Sequence, residues 1–178
     1  MRLFLGLPLP HESVRRLVDW QRSELESRAG IRLVAPENLH VTLAFIGNRP
    51  VADIDRVAKV MREAAAESSG PLVLTPARYR ETRSVGMIVF DDVGGRATTL
   101  ATALWNRLER LGVYEREHRN WLAHVTVTRF RTRPRATPAP PAFGRISPSE
   151  VALYHSVLRR TGAQYEILES AALGGSTP

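Results

Sequence analysis

The tripeptide His-Val-Thr occurs twice in this 178-residue chain, each time at the start of an apolar run typical of a β-strand. The two runs are LHVTLAFIG (39–47) and AHVTVTRF (123–130). Successive side chains of a strand point to opposite faces, so each histidine shares a face with its threonine, about 7 Å away. Two such strands facing one another would place two imidazoles and two hydroxyls around one small anion. The repeat therefore predicts an active site.

The rest of the chain alternates between strand and helix patterns, as judged from apolar periodicity and from glycine and proline positions. We predict helices over 11 to about 28, 51 to about 67 and 96 to about 111. We predict strands over 2–7, 39–46, 72–78, 85–90, 122–130, 151–158 and 164–173. Residues 131–148 carry five prolines and are predicted to form a loop.

Each half of the chain thus supplies a helix followed by a His-x-Thr strand, which is the pattern of a weak internal duplication. The sequence predicts an α+β fold of two lobes related by an approximate two-fold axis. A chain of this length is sufficient for one compact domain with a sizeable core. We expect that domain to cover residues 1–173 and residues 174–178 to form a frayed tail.

Composition excludes some classes of function and favours others. The chain has no cysteine, which excludes disulfides, thiolate metal sites and a cysteine nucleophile and is consistent with the cytoplasm. We find no apolar run of membrane-spanning length and interpret MRLFLGLPLP as a first strand and not a signal peptide. The net charge of +7 comes almost entirely from arginine, which favours phosphate ligands. A compositional bias towards arginine explains the charge equally well.

Two histidines and two threonines suit displacement at phosphorus. The entering and leaving oxygens are roughly in line, so the reaction needs a proton acceptor and a proton donor on opposite sides. Histidine serves either role near neutral pH, and threonine hydroxyls can bind the non-bridging oxygens. A zinc site usually adds a further ligand, and Glu37 is the only acidic residue near either motif. We therefore expect no metal and no cofactor, with a metal-dependent hydrolase as the less favoured alternative.

The segments LVAPENLHVTLAFIGN (33–48) and HVTVTRF (124–130) resemble the two-histidine phosphoesterase superfamily, in particular its RNA 2',3'-cyclic phosphodiesterase or 2'-5' RNA ligase-like branch. The opening RLFLGLPLP and the segment LYHSVLRRTGAQYEIL (153–168) are similar to the first strand and last hairpin of that branch. The resemblance implies a bilobal fold, with an antiparallel-type sheet and helices in each lobe and the active site in the cleft between them. Ala123 departs from the proline that relatives often carry before the second histidine.

The resemblance also implies the chemistry. His40 and His124 would be the catalytic pair, Thr42 and Thr126 the phosphate ligands, with no metal or cofactor. The implied reaction is hydrolysis of an RNA 2',3'-cyclic phosphate end to a 2'-phosphomonoester. We assign His124 as the base and His40 as the acid. Run in reverse with an RNA 5'-hydroxyl, the same site would form a 2'-5' linkage without ATP.

Arginines follow the second motif. Strict alternation places Arg129 on the face opposite Thr126, although a bulge could redirect it, and relatives commonly carry a phosphate-binding arginine here. Arg131 and Arg133 are candidates for an RNA-backbone track, the alternative being a solvated loop.

Aromatic residues are candidates for holding an RNA base. Phe45 is expected in the core, with RNA binding as its other interpretation. Tyr154 and Trp121 could stack a terminal base. The expected partner is an RNA with a 2',3'-cyclic phosphate end or a related nucleotide, bound by a monomer away from membranes. Two alternatives stay open: a phosphodiesterase of small nucleotides, and a non-catalytic module that binds RNA ends.

Overall fold

A computed structural model describes residues 1–116, 118–159 and 162–174. It contains three helices and eight strands: β1 (Arg2–Pro8), α1 (His11–Leu25), β2 (Ile31–Leu33), β3 (His40–Asn48), α2 (Ile54–Glu67), β4 (Leu74–Glu81), β5 (Val85–Asp92), α3 (Arg96–Arg110), β6 (His124–Phe130), β7 (Glu150–Arg159) and β8 (Gly162–Ala172). Short 3-10 turns at Pro36–Asn38 and Val51–Asp53 lead into β3 and α2.

The strands form an antiparallel sheet of two halves, which meet at the two motif strands. The first half-sheet has the order β3-β1-β7-β8, and the second has the order β4-β5-β6 with β2 on the other edge of β6. A single residue pair, Val41 with Val125, joins β3 to β6. The α+β class with two related halves is confirmed, and the two half-sheets are continuous through this one pair.

Both motif strands contain a β-bulge directly after the motif. In β3 the extra residue after the motif is Leu43, which has no partner in β1, and Ile46 forms a second irregularity farther along. In β6 the extra residue is Val127, which has no partner in β5. An extra residue reverses the alternation of side chains beyond it. Phe45 and Arg129, two positions past the bulge residues, therefore lie on the same face as the motifs. The burial pattern of β6 repeats that of β3 residue for residue over seven positions.

The helices cover the face of the sheet opposite the motif side chains. Helix α1 packs near β2, α2 packs against β7 and β8, and α3 contacts α2 and β3. Their apolar faces share one core with Val41 and Val125, because these valines alternate with the motif residues. Helix α3 begins after Gly95, which has φ of +70°, and the Asp92 carboxylate accepts the Thr98 amide at 2.8 Å. The polar motif face is left open to solvent.

Several boundaries differ from the predictions. The three-residue strand β2 was not predicted, α1 ends at Leu25, and a 3-10 turn precedes α2. β4 begins two residues later than expected and continues to Glu81. The loop at 131–148 contains no helix or strand, apart from one bridge between Ile146 and Leu74. The predicted tail lies, beyond Gly174, outside the described residues.

Candidate active site

Both motifs line one cleft of about 580 Å³, formed by residues of the two half-sheets. The cleft lining includes all five residues predicted for catalysis or phosphate binding, which are His40, Thr42, His124, Thr126 and Arg129. Strands β3 and β6 hold them because the two strands are joined at Val41 and Val125, each directly after a histidine. Residues 84 positions apart in the sequence (124 minus 40) thus share one site.

The two histidines have the same backbone contact. His40 Nδ1 lies 2.8 Å from the Asn38 carbonyl oxygen, and His124 Nδ1 lies 2.8 Å from that of Leu122. A carbonyl only accepts, so Nδ1 carries the proton and donates it, and the lone pair of each neutral ring is on Nε2. The Nε2 atom of His40 accepts the hydroxyl hydrogen of Thr42 at 3.0 Å. Both rings are therefore fixed in the tautomer that accepts a proton through Nε2.

Aromatic rings enclose His40. Its ring centroid lies 4.9 Å from that of Phe4, 5.5 Å from Tyr154 and 5.2 Å from Tyr165, the last in edge-to-face geometry. Gly6 leaves the space for this arrangement, because a Cβ atom there would lie 3.2 Å from His40 Cδ2. Burial lowers the pKa of His40 to about 4, opposed by the hydrogen bond to Asn38 and reinforced by the positive charge of nearby groups.

His124 has a more cationic and less enclosed environment. Burial is again the main cause that lowers its pKa, and the hydrogen bond to Leu122 opposes it. The charges of Arg119 and Arg80 lower the pKa further. Both histidines are thus neutral near pH 7 and able to accept a proton. A phosphate anion between them would raise both pKa values, since an opposite charge favours the protonated ring.

The bulges decide the orientation of the next cleft residues. Arg129 lines the cleft, as the redirected strand end allows, and lies close enough to His40 to lower its pKa. Phe45 is not in the core as expected: its side chain is 47% exposed and lines the cleft. The guanidinium of Arg2 lies 4.9 Å from the centroid of the Phe45 ring, which is a cation–π contact.

Other candidates lie away from the cleft lining. Tyr154 is only 5% exposed and stacks on Phe4 at 4.6 Å, so the prediction that it stacks an RNA base is wrong; its ring packs beside His40 instead. Trp121 donates its indole hydrogen to the Thr42 carbonyl. Arg131 is exposed beyond β6. Arg133 binds Glu81 at 3.2 Å, and the same carboxylate accepts two amides of the loop, those of Arg135 and Ala136.

Among the cleft residues that sequence reasoning missed are three arginines and a tyrosine: Arg2, Arg32, Arg159 and Tyr165. Arg2 could have been predicted, because simple alternation puts it on the same strand face as Phe4 and Gly6. Arg32 lies in the short strand β2, opposite Arg129, and no periodic pattern marks so short a strand. Tyr165 lies opposite Ser156 in the last hairpin, where the burial pattern is irregular.

Within the described ranges, no cluster of three or more histidine, aspartate or glutamate side chains has the arrangement of a metal site. None of the described helices is long and apolar enough to cross a membrane.

The chain is similar to known phosphoesterases over most of its length. A family model described as LigT like phosphoesterase matches residues 7–75. An RNA 2',3'-cyclic phosphodiesterase of Thermus thermophilus is 30% identical over 98% of this chain and 91% of the relative. The chain belongs to the LigT-like phosphoesterase family.

Two solved structures share the whole fold. The crystal structure of TT0787 of Thermus thermophilus has a TM-score of 0.84 at 26% identity and covers 99% of this chain and 100% of its own. That of E. coli LigT with 3'-AMP has a TM-score of 0.83 at 26% identity and covers 97% of each chain. The similarity therefore extends over both half-sheets.

Proposed function

We propose that this phosphoesterase hydrolyses the 2',3'-cyclic phosphate at an RNA end to a 2'-phosphomonoester, with His40 and His124 as general acid and base. The observation that carries the proposal is the matched pair of histidines. Each is fixed through Nδ1 to a backbone carbonyl, lines the same cleft and shares its strand face with a threonine. The curated Thermus relative, named for this activity, supports the same substrate. The functional unit is the single domain of residues 1–173, because the cleft draws on strands from β1 to β8.

The two rings supply both proton transfers of an in-line displacement. One Nε2 accepts a proton from water as its oxygen bonds to phosphorus. The bond from phosphorus to O3' breaks, and O3' takes a proton from the other ring's Nε2, leaving the phosphate on O2'. The hydroxyls of Thr42 and Thr126 and the guanidinium of Arg129 bind the non-bridging oxygens, whose negative charge they stabilise.

We keep His124 as the base and His40 as the acid. The aromatic rings around His40 lower its pKa in the free protein, so it must gain its proton together with the phosphate anion. Since fewer rings are protonated as pH rises, kcat/KM is expected to fall once the pH exceeds the free-protein pKa values of both histidines. The pH optimum of kcat lies higher, because the bound anion raises those pKa values.

The rim of the cleft favours RNA over small nucleotides. Arg2, Arg32 and Arg159 line the cleft together with Phe45, which combines phosphate-binding cations with an exposed ring for a base. E. coli LigT, with a similar fold, binds 3'-AMP in its crystal structure, which supports a nucleotide ligand here. The reverse ligation, a monomeric state and a cytoplasmic location stay predictions.

Phosphorus NMR of a short RNA ending in a 2',3'-cyclic phosphate, in excess EDTA, tests the proposal. We expect conversion to a 2'-phosphate by the wild type. His40→Ala and His124→Ala should each lower the rate by about 10²- to 10⁴-fold. His11→Ala is the matched control, since His11 is exposed at the start of α1.

Each other result has a distinct meaning. Full turnover by either cleft-histidine variant would overturn the two-histidine mechanism. RNA binding without turnover by the wild type would indicate a binding module. Neither binding nor turnover, with hydrolysis of a 2',3'-cyclic mononucleotide, would indicate a phosphodiesterase of small nucleotides.

A further inference from the structure

A buried side chain from a helix binds the carbonyl of each bulge residue. Gln21 of α1 donates from Nε2 to the Val127 carbonyl oxygen at 2.6 Å. Trp105 of α3 donates from its indole Nε1 to the Leu43 carbonyl oxygen at 2.9 Å. Val127 and Leu43 occupy the same position, three residues after the histidine of their motif. Two different side chains thus make the same contact in the two halves.

Both donors belong to buried side chains. Gln21 is 1% exposed, and its Nε2 also donates to the Val34 carbonyl at 3.1 Å, between β2 and β3. A buried amide is destabilising unless its hydrogen bonds are made, and an apolar residue would fill the same helix position at lower cost. Trp105 is also buried, with its only donor directed at the strand. Packing alone therefore does not account for either residue.

The bulges have a direct effect on the cleft. Without the extra residue, a strand alternates regularly, and the side chain five positions after the histidine faces the core. With it, Arg129 and Phe45 face the cleft. The Val127 carbonyl also accepts the backbone amide of Val34 at 3.0 Å, and Gln21 adds a second donor to it from α1. Such a donor from a neighbouring element stabilises the bulged form over the regular one.

We propose that Gln21 and Trp105 are positioning residues, which hold the two bulges and thereby orient Arg129 and Phe45 towards the bound phosphate and nucleoside. Neither contacts the substrate. Gln21 acts on Arg129 through β6, and Trp105 acts on Phe45 through β3. The effect on turnover rests on the proposed function, whereas the effect on phosphate binding does not.

Substitutions that remove the donor and keep much of the side-chain shape test this inference. Gln21→Met keeps the length of the side chain, and Trp105→Phe keeps an aromatic ring. Leu17→Ala is the control for the first, because Leu17 is buried one turn earlier on the same face of α1. Trp20→Phe is the control for the second, since its indole donates to the Ala139 carbonyl at 2.8 Å, away from either bulge.

The first readout is coupling in double variants. We expect Gln21→Met to lower kcat/KM by about tenfold in the wild-type background, as small displacements of a substrate-binding group can cost still more. The effect should vanish when Arg129 is already alanine and persist when Phe45 is alanine. The effect of Trp105→Phe should vanish when Phe45 is already alanine and persist when Arg129 is alanine. Equal losses in all backgrounds would indicate general destabilisation and overturn the proposal.

The second readout needs no turnover. Inorganic phosphate, titrated while the Arg129 Nε signal is followed by NMR, should bind at least about tenfold more weakly to Gln21→Met than to the wild type or Leu17→Ala. Unchanged phosphate affinity in Gln21→Met would overturn the proposal for Gln21. If the wild type binds phosphate but does not hydrolyse RNA, the proposed function fails and this measurement still tests the positioning role.

Discussion

The two halves of the cleft have the same backbone arrangement around their motifs but differ in the side chains that surround the histidines. Each half provides a histidine bound through Nδ1 to a carbonyl two residues earlier, a threonine on the same face and a bulge one residue later. The side chain beyond the bulge is Phe45 in one half and Arg129 in the other. His40 lies among aromatic rings, whereas His124 is influenced by two arginines.

The comparison separates what the fold provides from what the individual side chains provide. The carbonyls two residues before the histidines, those of Asn38 and Leu122, give both rings the same tautomer, which satisfies the need for two proton-transferring groups. The differing surroundings then give the cleft an aromatic side around His40, whose rim also carries Arg2 and Arg159, and a cationic side around His124. We interpret the aromatic side as the place for the nucleoside and the cationic side as the place for phosphate charge. The predictions below test this division.

The largest difference is expected between the two equivalent positions after the bulges. Arg129→Ala should lower kcat/KM by about 100-fold, because it removes a donor to the charged phosphate oxygens. Phe45→Ala should lower it by about tenfold through weaker stacking. Steady-state kinetics on the cyclic-phosphate RNA would measure both, with Arg129→Lys expected in between. Equal losses of kcat/KM in Arg129→Ala and Phe45→Ala would contradict the division into an aromatic and a cationic side.

The pH dependence of stability should also differ between the halves. The pKa of His40 is about 4 in the folded protein and 6.5 in the unfolded chain, so the unfolded chain binds more protons between these values. The free energy of unfolding therefore falls as pH drops from 6.5 towards 4, by about 2–3 kcal/mol from this residue.

Chemical denaturation at pH 7.5 and 4.5 measures that change. His40→Asn should remove most of the loss, and His124→Asn should remove less, because His124 is less enclosed. An identical pH response in wild type and His40→Asn would show that His40 is not buried in its neutral form.

Removing a ring from the aromatic side should change the pKa of His40 and leave that of His124 unchanged. Tyr165→Ala admits water to His40, which reduces the desolvation that lowers its pKa, and we expect a rise of about one unit. NMR titration of the two imidazoles would report both values in one sample. A parallel rise of the His124 pKa would show that the halves are electrostatically coupled more strongly than their surroundings indicate.

The smallest effect is expected from the arginines that follow β6. Arg131→Ala should weaken RNA binding by only a few-fold and reduce the salt dependence by about one phosphate contact. Arg133→Ala should do less, since its guanidinium already binds Glu81. Binding measured at several salt concentrations tests this. A loss of RNA affinity in Arg131→Ala as large as that in Arg129→Ala would show that the cationic side includes the loop.

The sequence was sufficient for the elements that carry periodic patterns. The motif strands and α1 to α3 follow from apolar spacing, and alternation places His40 with Thr42 and His124 with Thr126. The bulges were not predictable, because nothing about Leu43 or Val127 as residue types marks them as extra. The orientation of Arg129 was accordingly ambiguous, and that of Phe45 was wrong.

Tyr154 illustrates a second limit. Strand β7 lies between β1 and β8 and is buried on both faces from Val151 to Tyr154, so alternation gives no indication of which side a residue faces. Its exposure depends on Phe4, a residue 150 positions away (154 minus 4) that stacks on it. Contacts of this kind are set by tertiary packing and have no local sequence signal.

The two half-sheets share one residue pair, Val41 with Val125. If the half-sheets turn relative to one another about this pair, every atom moves in proportion to its distance from the pivot. The two histidines, each one residue from the pivot, would move least, whereas Arg2 and Arg159, farther along their strands, would move most. In such a turn the rim would change shape while the separation of the two imidazoles stayed nearly constant.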